Sequence, residues 1–462
     1  MAKGVYLLGT STFGEKMCAA AGRISTQPGN ALGIWEKSGD SEKNASLIDK
    51  VTRSGHNSTV EHIAFHLAFN DVSVIVEQFM IEFRLASFTV KSRRYVDFSD
   101  AGYYTTDFKD PDLKNRYDRQ ITSLFALYSR LTDAGVPKED ARFVLPYCFL
   151  SNFFCTLNGR EMLHVLHAML HGRGSRLPEI RRLGEQLFSQ VTEKAPGLVT
   201  GFDERKPKGP DGYDLSFLEK RKLREDEKEE PVSLISLTPD ASRVICETAL
   251  LEQGGFTRGD IEKAVADPES RKRIISAVLS SSRPRALESV SCTFAIRGIT
   301  LSTLTHFARH RVHSIQIPSL DTVDRGSFVT PESIKKDPVL RSEYEKAFSD
   351  SRELYESLCS TKEDEAARYV LLSGNTIDIV STMNGRELLL FFKLRTCSRA
   401  QWEIRDYAEK MLLELRARVP EVFTRFGPSC YVEGICPEGR LSCGKAKEIR
   451  ERYAAPDCCG KS

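Results

Sequence analysis

The sequence predicts an α+β protein built from two homologous domains, each a small, mainly antiparallel sheet with long helices. Three observations predict it: an internal repeat, alternating apolar residues at matching places in both halves, and helix-forming runs that end at proline. The segment SGHNSTVEHIAFHLAF (54–69) is answered by SSRPRALESVSCTFAI (281–296), which sets Glu61 against Glu288 at an offset of 227. Arg84 with Arg311 and Ser92 with Ser319 keep that offset, and ARFVLP from Ala141 meets ARYVLL from Ala367 at 226. Asn158-Gly159-Arg160 meets Asn384-Gly385-Arg386 at 226, and Glu179-Ile180-Arg181 meets Glu403-Ile404-Arg405 at 224. The order holds over about 120 residues, so the small offset changes read as loop deletions. A period this long excludes a solenoid and implies two complete domains. Residues 201–231 are dense in charge, Gly and Pro, as an exposed or partly helical connector would be, which places the domains at 1–230 and 231–462.

Ile63, Phe65, Leu67 and Phe69 alternate with less apolar residues, as do Val290, Cys292, Phe294 and Ile296. Period two predicts one half-buried strand in each copy. The run GRELLLFFKLRTCSRAQWEIRDYAEKMLLELRARV carries helical spacing and good helix formers until Pro420 closes it. Strands do not alternate regularly with helices, which predicts antiparallel pairing over a doubly wound sheet.

Composition narrows the function. Hydrophobic residues at 40% and charged residues at 28% exclude a disordered or collagen-like chain. Sixty-six Lys and Arg against 64 Asp and Glu leave a net charge of +2, so nothing global points to nucleic acid or acidic membranes, and any anion site is local. The N-terminus MAKGVYLLGTSTFGEK lacks a signal-peptide layout and no run approaches the ~20 apolar residues of a membrane span, so a cytoplasmic protein is expected. Five of the 12 cysteines bunch at the tail: Cys430, Cys436, Cys443, Cys458 and Cys459. Their spacing fits no standard zinc pattern, and in a reducing compartment they read as thiols.

All nine histidines fall in three clusters: 56, 62 and 66; 164, 167 and 171; 306, 310 and 313. Arg309-His310-Arg311 puts two guanidiniums and an imidazole in one turn, a donor set suited to a phosphate or an anionic ring. Alone, such a triplet is more often a solvated basic face. Ser92-Arg93-Arg94-Tyr95 could clamp a nucleotide, although an ordinary turn has the same composition. His164, His167 and His171 share one helical face, but no carboxylate at ligand spacing accompanies them, so a hydrogen-bonded core stripe is expected over a metal site. Cys148 after Pro146 reads as a buried thiol before a nucleophile. No Walker loop, Gly-x-Gly-x-x-Gly fingerprint or Ser-His-Asp order is present.

RHRVHSIQIPS (309–319) resembles the signature of the flavin-dependent thymidylate synthases, the ThyX family. HNSTVEH (56–62) resembles that family's His-x-Ser/Thr-x-x-Glu-His stretch, and SRRY (92–95) the end of its signature. ARFVLP, NGRELLLFFKLR and AQWEIR resemble later blocks, and GPSCYVEGICPEGRLSCG resembles the C-terminal extension of some members. The likeness covers nearly the whole chain, twice. It implies FAD as cofactor, NADPH and methylenetetrahydrofolate as co-substrates, and reductive methylation of dUMP to dTMP. It further implies flavin binding by His56, Ser58, Glu61, Arg309, His310, Arg311, Asn384 and Arg386, and nucleotide binding by Ser92, Arg94, Arg142 and His306, which stands where the family has glutamine. Arg395 and Ser92 are the implied catalytic residues.

Each copy departs from that pattern, and the departures are complementary. The first copy reads Glu82-Phe83-Arg84 at the RHR position and Met169 at the late arginine. The second keeps RHR and Arg395 but reads Ser319-Leu320-Asp321-Thr322 in place of Ser-x-Arg-Tyr, and has lost both histidines of the first stretch. As the resemblance implies, family sites are built at subunit interfaces of homotetramers, so two tandem chains are expected to form a homodimer that is a pseudo-tetramer with two working sites. A flavoenzyme acting on another pyrimidine nucleotide, such as UMP, and an inactive flavin- or nucleotide-binding paralogue are the rival readings.

Overall fold

The computed structural model describes residues 3–206, 208–209, 212–215, 217–218, 229–361 and 363–455. They form two compact units, one drawn from Met1–Lys222 and Val329–Gly374, the other from Leu223–Phe328 and Asn375–Ser462. Residues 329–374, which belong to the second half of the sequence, thus pack in the first unit, so the compact units and the sequence repeat divide the chain differently. The connector expected over 201–231 lies outside the described residues at 207, 210–211, 216 and 219–228.

The sheet of the first unit holds β1 (Gly4–Thr10), β2 (Ala64–Ser73), β3 (Ser87–Val90) and β4 (Leu150–Asn158) in the order β1-β2-β4-β3, all antiparallel. Phe65, Leu67 and Phe69 of β2 are buried on one face, as period two requires. Phe69 stacks on Phe153 of β4 with ring centroids 4.4 Å apart. In the second unit β5 (Val232–Leu237), β6 (Ser291–Thr300), β7 (His313–Gln316) and β9 (Asn375–Asn384) repeat the order as β5-β6-β9-β7, and β8 (Asp324–Phe328) also pairs with β9. Register repeats with topology: Phe65 faces Leu157, and the equivalent Cys292 faces Met383. The α+β class and the duplicated antiparallel sheet are as expected.

Helices follow the strands in the same places. Val74–Ile81 leaves β2 and Leu301–Ala308 leaves β6. Gly159–Leu170 and Gly385–Arg395 follow β4 and β9, and each is started by an asparagine whose side chain accepts from the N–H of the residue at N3, Glu161 or Glu387. Glycine comes next because the helix start presses on the preceding turn. A Cβ on Gly159 would lie 2.5 Å from the Val60 carbonyl oxygen, and one on Gly385 would lie 2.8 Å from that of Leu287.

The long helices Pro111–Asp133 and Pro338–Cys359 both begin at an Asp-Pro pair, with Asp110 and Asp337 capping the first turn. Both lie in the first unit, where Gln120 donates to Ser351 Oγ at 2.9 Å and Arg130 pairs with Glu343 at 3.0 Å. Among the described residues no helix is long and apolar enough to cross a membrane.

Candidate functional site

The chemistry of the second unit gathers at the end of the Leu301–Ala308 helix. The start of that helix is fixed from below by buried Glu403, which accepts from Thr300 N at 2.8 Å, from Thr300 Oγ1 at 2.7 Å and from Thr303 Oγ1 at 2.6 Å. Arg309, His310 and Arg311 turn out of the other end, with His310 buried and both arginines exposed. The imidazole bridges two charged groups: its Nδ1 lies 2.9 Å from Glu387 Oε1, and its Nε2 lies 3.0 Å from the Nε of Arg395. Arg395 also donates to the carbonyl of His306 at 3.3 Å.

The hydrogen bonds assign the tautomer. Arg395 can only donate, so His310 Nε2 is the acceptor and Nδ1 carries the proton given to Glu387. Burial holds the imidazole below its ordinary pKa and the Arg395 charge adds to this, against the opposing pull of Glu387. His310 is therefore a neutral link between a carboxylate and a guanidinium. Glu387 sits at N3 of the Gly385–Arg395 helix, where the helix dipole favours an acidic side chain. Sequence reasoning missed it, since nothing in the spacing tied it to a histidine 77 residues away.

The first unit has an apolar version of the same place. Phe79, Phe83 and Met169 stand at the positions of His306, His310 and Arg395, and all three are buried. Phe83 meets the Phe79 ring at 5.3 Å and the His164 ring at 5.1 Å. Glu82, in place of Arg309, pairs with Arg173. The histidine and the arginine have been replaced together, while the acid is kept as Glu161, whose carboxylate lies 3.5 Å from His164 Nδ1; losing only one of the pair would strand the other.

The residues expected to seat the nucleotide show the reverse pattern. In the first unit Arg94 and Arg142, 48 positions apart in sequence, converge on Glu139. Arg94 Nε donates to its carboxylate at 2.7 Å, and Arg142 Nε donates to its carbonyl at 3.1 Å. Ser92 Oγ accepts from the Arg94 N–H at 3.3 Å. Arg93 between them is structural, buried in an ion pair with Glu77 beneath Phe149. In the second unit Leu304 and Leu320 replace that buried pair, and Asp321 replaces Arg94, its carboxylate 3.0 Å from Ser319 Oγ. A carboxylate there repels a phosphate where a guanidinium would bind it.

The remaining predicted residues have these positions. His56 and Ser58 are exposed in the turn before β2, and Glu61 pairs with Arg160 at 2.8 Å. Arg386 makes the equivalent pair with Glu288, and Asn384 is the helix cap described above. Such exposed ion pairs are worth about 0–1 kcal/mol and can exchange for a ligand. The histidine stripe is not the core row expected: His164 and His171 are exposed, and a carboxylate does stand at helical spacing, with Glu161 3.5 Å from His164. His167 stacks on Phe202 at 4.0 Å, and His171 Nε2 lies 2.9 Å from Asp203. Among the described residues no group of three or more His, Cys, Asp or Glu is placed to hold a metal ion. Burial pushes the Cys148 thiol up to about 12, as suits a core thiol. Of the tail cysteines, Cys430 is buried and Cys443 is exposed, while Cys458 and Cys459 lie outside the described residues.

The donor sets can be tested against a flavin. Exposed Arg309 and Arg311 flanking a fixed neutral imidazole fit an anionic ring or pyrophosphate in the second unit. Glu82, Phe83 and Met169 do not fit one in the first unit. The fold and these residues define a tandem α+β protein with two exposed arginines around a buried histidine in one copy and a serine with two arginines gathered at Glu139 in the other. The model of the thymidylate synthase complementing protein family, Thy1, matches residues 7–197 and again 233–421, and the chain belongs to that family with its domain present twice.

The chain is 34% identical over 241 residues to a flavin-dependent thymidylate synthase of Clostridium tetani, covering 48% of this chain and 96% of the relative. It is 32% identical to one of Geobacter sulfurreducens over 48% of this chain and 97% of the relative, and 38% identical to one of Pyrococcus abyssi over 39% and 80%. Among solved structures, a UMP/dUMP methylase PolB from Streptomyces cacaoi, bound with 5-Br dUMP, aligns at 24% identity over 44% of this chain and 96% of that one, with a TM-score of 0.36.

Proposed function

We propose that the chain is a flavin-dependent thymidylate synthase that converts dUMP to dTMP with FAD, methylenetetrahydrofolate and NADPH. In this reading its two homologous copies, 1–230 and 231–462, supply different halves of one site. Bound FAD would carry the hydride and one-carbon chemistry. Arg309, His310 and Arg311 would hold the flavin, with His56, Ser58, Glu61, Asn384 and Arg386 as further contacts. Ser92, Arg94 and Arg142 would seat the nucleotide phosphate. Arg395 would polarise the uracil carbonyl, and His306 would stand beside the pyrimidine. A homodimer of tandem chains would supply two such sets.

The observation that carries the reading is reciprocal loss. The buried Glu387–His310–Arg395 network is whole where the Ser-x-Arg-Tyr clamp is broken, and the clamp with Glu139 is whole where the network has become Phe79, Phe83 and Met169. A chain decaying without function would have no cause to keep opposite halves intact. The test is dTMP formation by the FAD-loaded protein and by its Arg395→Ala variant. Losing one charge-assisted donor to the transition state costs on the order of 3 kcal/mol, about a hundredfold in rate. Normal turnover by the variant removes Arg395 from the mechanism. His306, an imidazole in place of the family's amide, favours a second reading in which another pyrimidine nucleotide is the acceptor. Running UMP beside dUMP in the same assay separates the two.

A further inference from the structure

We propose that Glu387, acting through His310, is a positioning residue for the Arg395 guanidinium, so that the three side chains work as one relay. Two hydrogen bonds in line carry it: His310 Nδ1 to Glu387 Oε1 at 2.9 Å, and Arg395 Nε to His310 Nε2 at 3.0 Å. The imidazole could hold Arg395 in only one of its tautomers. With the proton on Nε2, two donors would face each other; with the proton on Nδ1, Nε2 offers its lone pair to the guanidinium. Glu387 selects the second state because a carboxylate opposite Nδ1 accepts and cannot donate. His310 and Glu387 are both buried, and Phe391 lies against the ring at a centroid distance of 5.0 Å, so water does not compete for the bond that sets the tautomer, while Arg395 is half-buried.

The second bond of Arg395, to the His306 carbonyl at 3.3 Å, completes a two-point hold that sets the plane of the guanidinium. The relay rests on the proposed role of Arg395 at the uracil carbonyl, where displacement by about 1 Å costs roughly a hundredfold in rate. The first unit supplies a comparison. Glu161 keeps the helix position of Glu387, but with Phe83 and Met169 opposite, its carboxylate lies 3.5 Å from His164 instead. An acid at N3 therefore also serves the start of the helix, and the test has to separate that duty from positioning.

The experiment uses the full FAD-loaded protein labelled with 15N-histidine, His310 being assigned by its loss in His310→Asn, together with turnover of Glu387→Gln, Glu387→Leu and Arg395→Ala. The relay predicts a protonated Nδ1 and an unprotonated Nε2 in the wild type and in E387Q, whose amide oxygen still accepts. E387L, with wild-type flavin content, should lose roughly 10- to 100-fold in kcat. E387Q should keep most of it, and E387L should cost nothing further in the R395A background. A protonated Nε2 in the wild type, E387Q as damaged as E387L, or additive losses in the double variant would each overturn the proposal. Should R395A turn over normally, the functional reading fails and takes this role with it. Failure of the relay alone shows instead as a damaged R395A with the wrong tautomer at His310. If E387L does not fold, the tautomer and the E387Q rate still decide the matter.

Discussion

Arg395 donates its Nε–H to Nε2 of His310 at 3.0 Å, and the residues at the same two positions of the first copy are Met169 and Phe83. A polar pair in one copy has become an apolar pair in the other, which is the form a buried interaction takes when both partners are given up together.

This exchange predicts strong coupling when the pair is rebuilt. Phe83→His alone should destabilise the first unit by about 2 kcal/mol, because Nε2 of the new imidazole has no donor opposite. Met169→Arg alone should cost more, as it buries a guanidinium. The double variant should be more stable than the sum of the two by at least about 1 kcal/mol. Urea unfolding followed by Trp35 in a Trp402→Phe background measures each value, and strictly additive losses would refute the pairing.

Glu403 and Glu179 are predicted to be structural. Glu403 binds Thr300 and Thr303, and Glu179 binds Ser73, with Ser73 N to Glu179 Oε1 at 2.9 Å. Glu403→Ala would strip the buried Thr300 N–H of its partner and take the carboxylate acceptor from the Thr300 and Thr303 hydroxyls, leaving Thr303 Oγ1 only its longer bond to Gln401 at 3.3 Å, at a cost on the order of 3 kcal/mol. Its thermal midpoint should fall well below that of Glu403→Gln, which keeps one acceptor.

A pH effect follows from His167. Burial first, then the charges of His171 and Arg205, bring its pKa from 6.5 to about 4. Between those values the unfolded chain binds a proton that the folded chain refuses. Stability from this group is complete above about 6.5 and is lost as the pH falls towards 4. His167→Phe keeps the stack on Phe202 and removes the titration, so the variant's thermal midpoint should fall less than the wild type's over that range. An unchanged slope would show that other groups set it.

Much of the fold was legible because the repeat doubled every signal. Alternation at Phe65 and Phe69 and again at Cys292 and Phe294 gave β2 and β6, and the constant offset aligned the strands and helices that follow. The site was legible only in its local blocks. Asn384 and Arg386 are expected to touch the flavin, and the structure adds a local duty for each, a helix cap and an ion pair with Glu288, that the sequence did not show. Glu387, Glu139 and Glu77 went unseen because their partners are 77, 45 and 16 residues away, and a single sequence carries no sign of such pairings. Packing of 329–374 in the first unit was equally invisible, since the amphipathic helix Pro338–Cys359 does not record which neighbour it covers.

Composite sites drawn from two chains predict rescue between inactive variants. Arg94→Ala and Arg311→Ala proteins should each be inactive. Co-refolded in equal amounts, half the dimers would be mixed and each would hold one intact site, so about a quarter of the wild-type activity should return. A mixture that stays inactive would show that each chain completes its own site.

The most direct test of the central claim, that the two copies have divided one site between them, is the flavin content of the purified protein and its visible spectrum with and without dUMP. The account predicts about one FAD per 462-residue chain, with absorbance perturbed by dUMP, because only the second copy keeps the whole Arg-His-Arg set proposed to hold the flavin, the first retaining Arg84 alone. Two FAD per chain would mean that the first copy binds flavin despite Phe83 and Met169, and the division of labour would be contradicted.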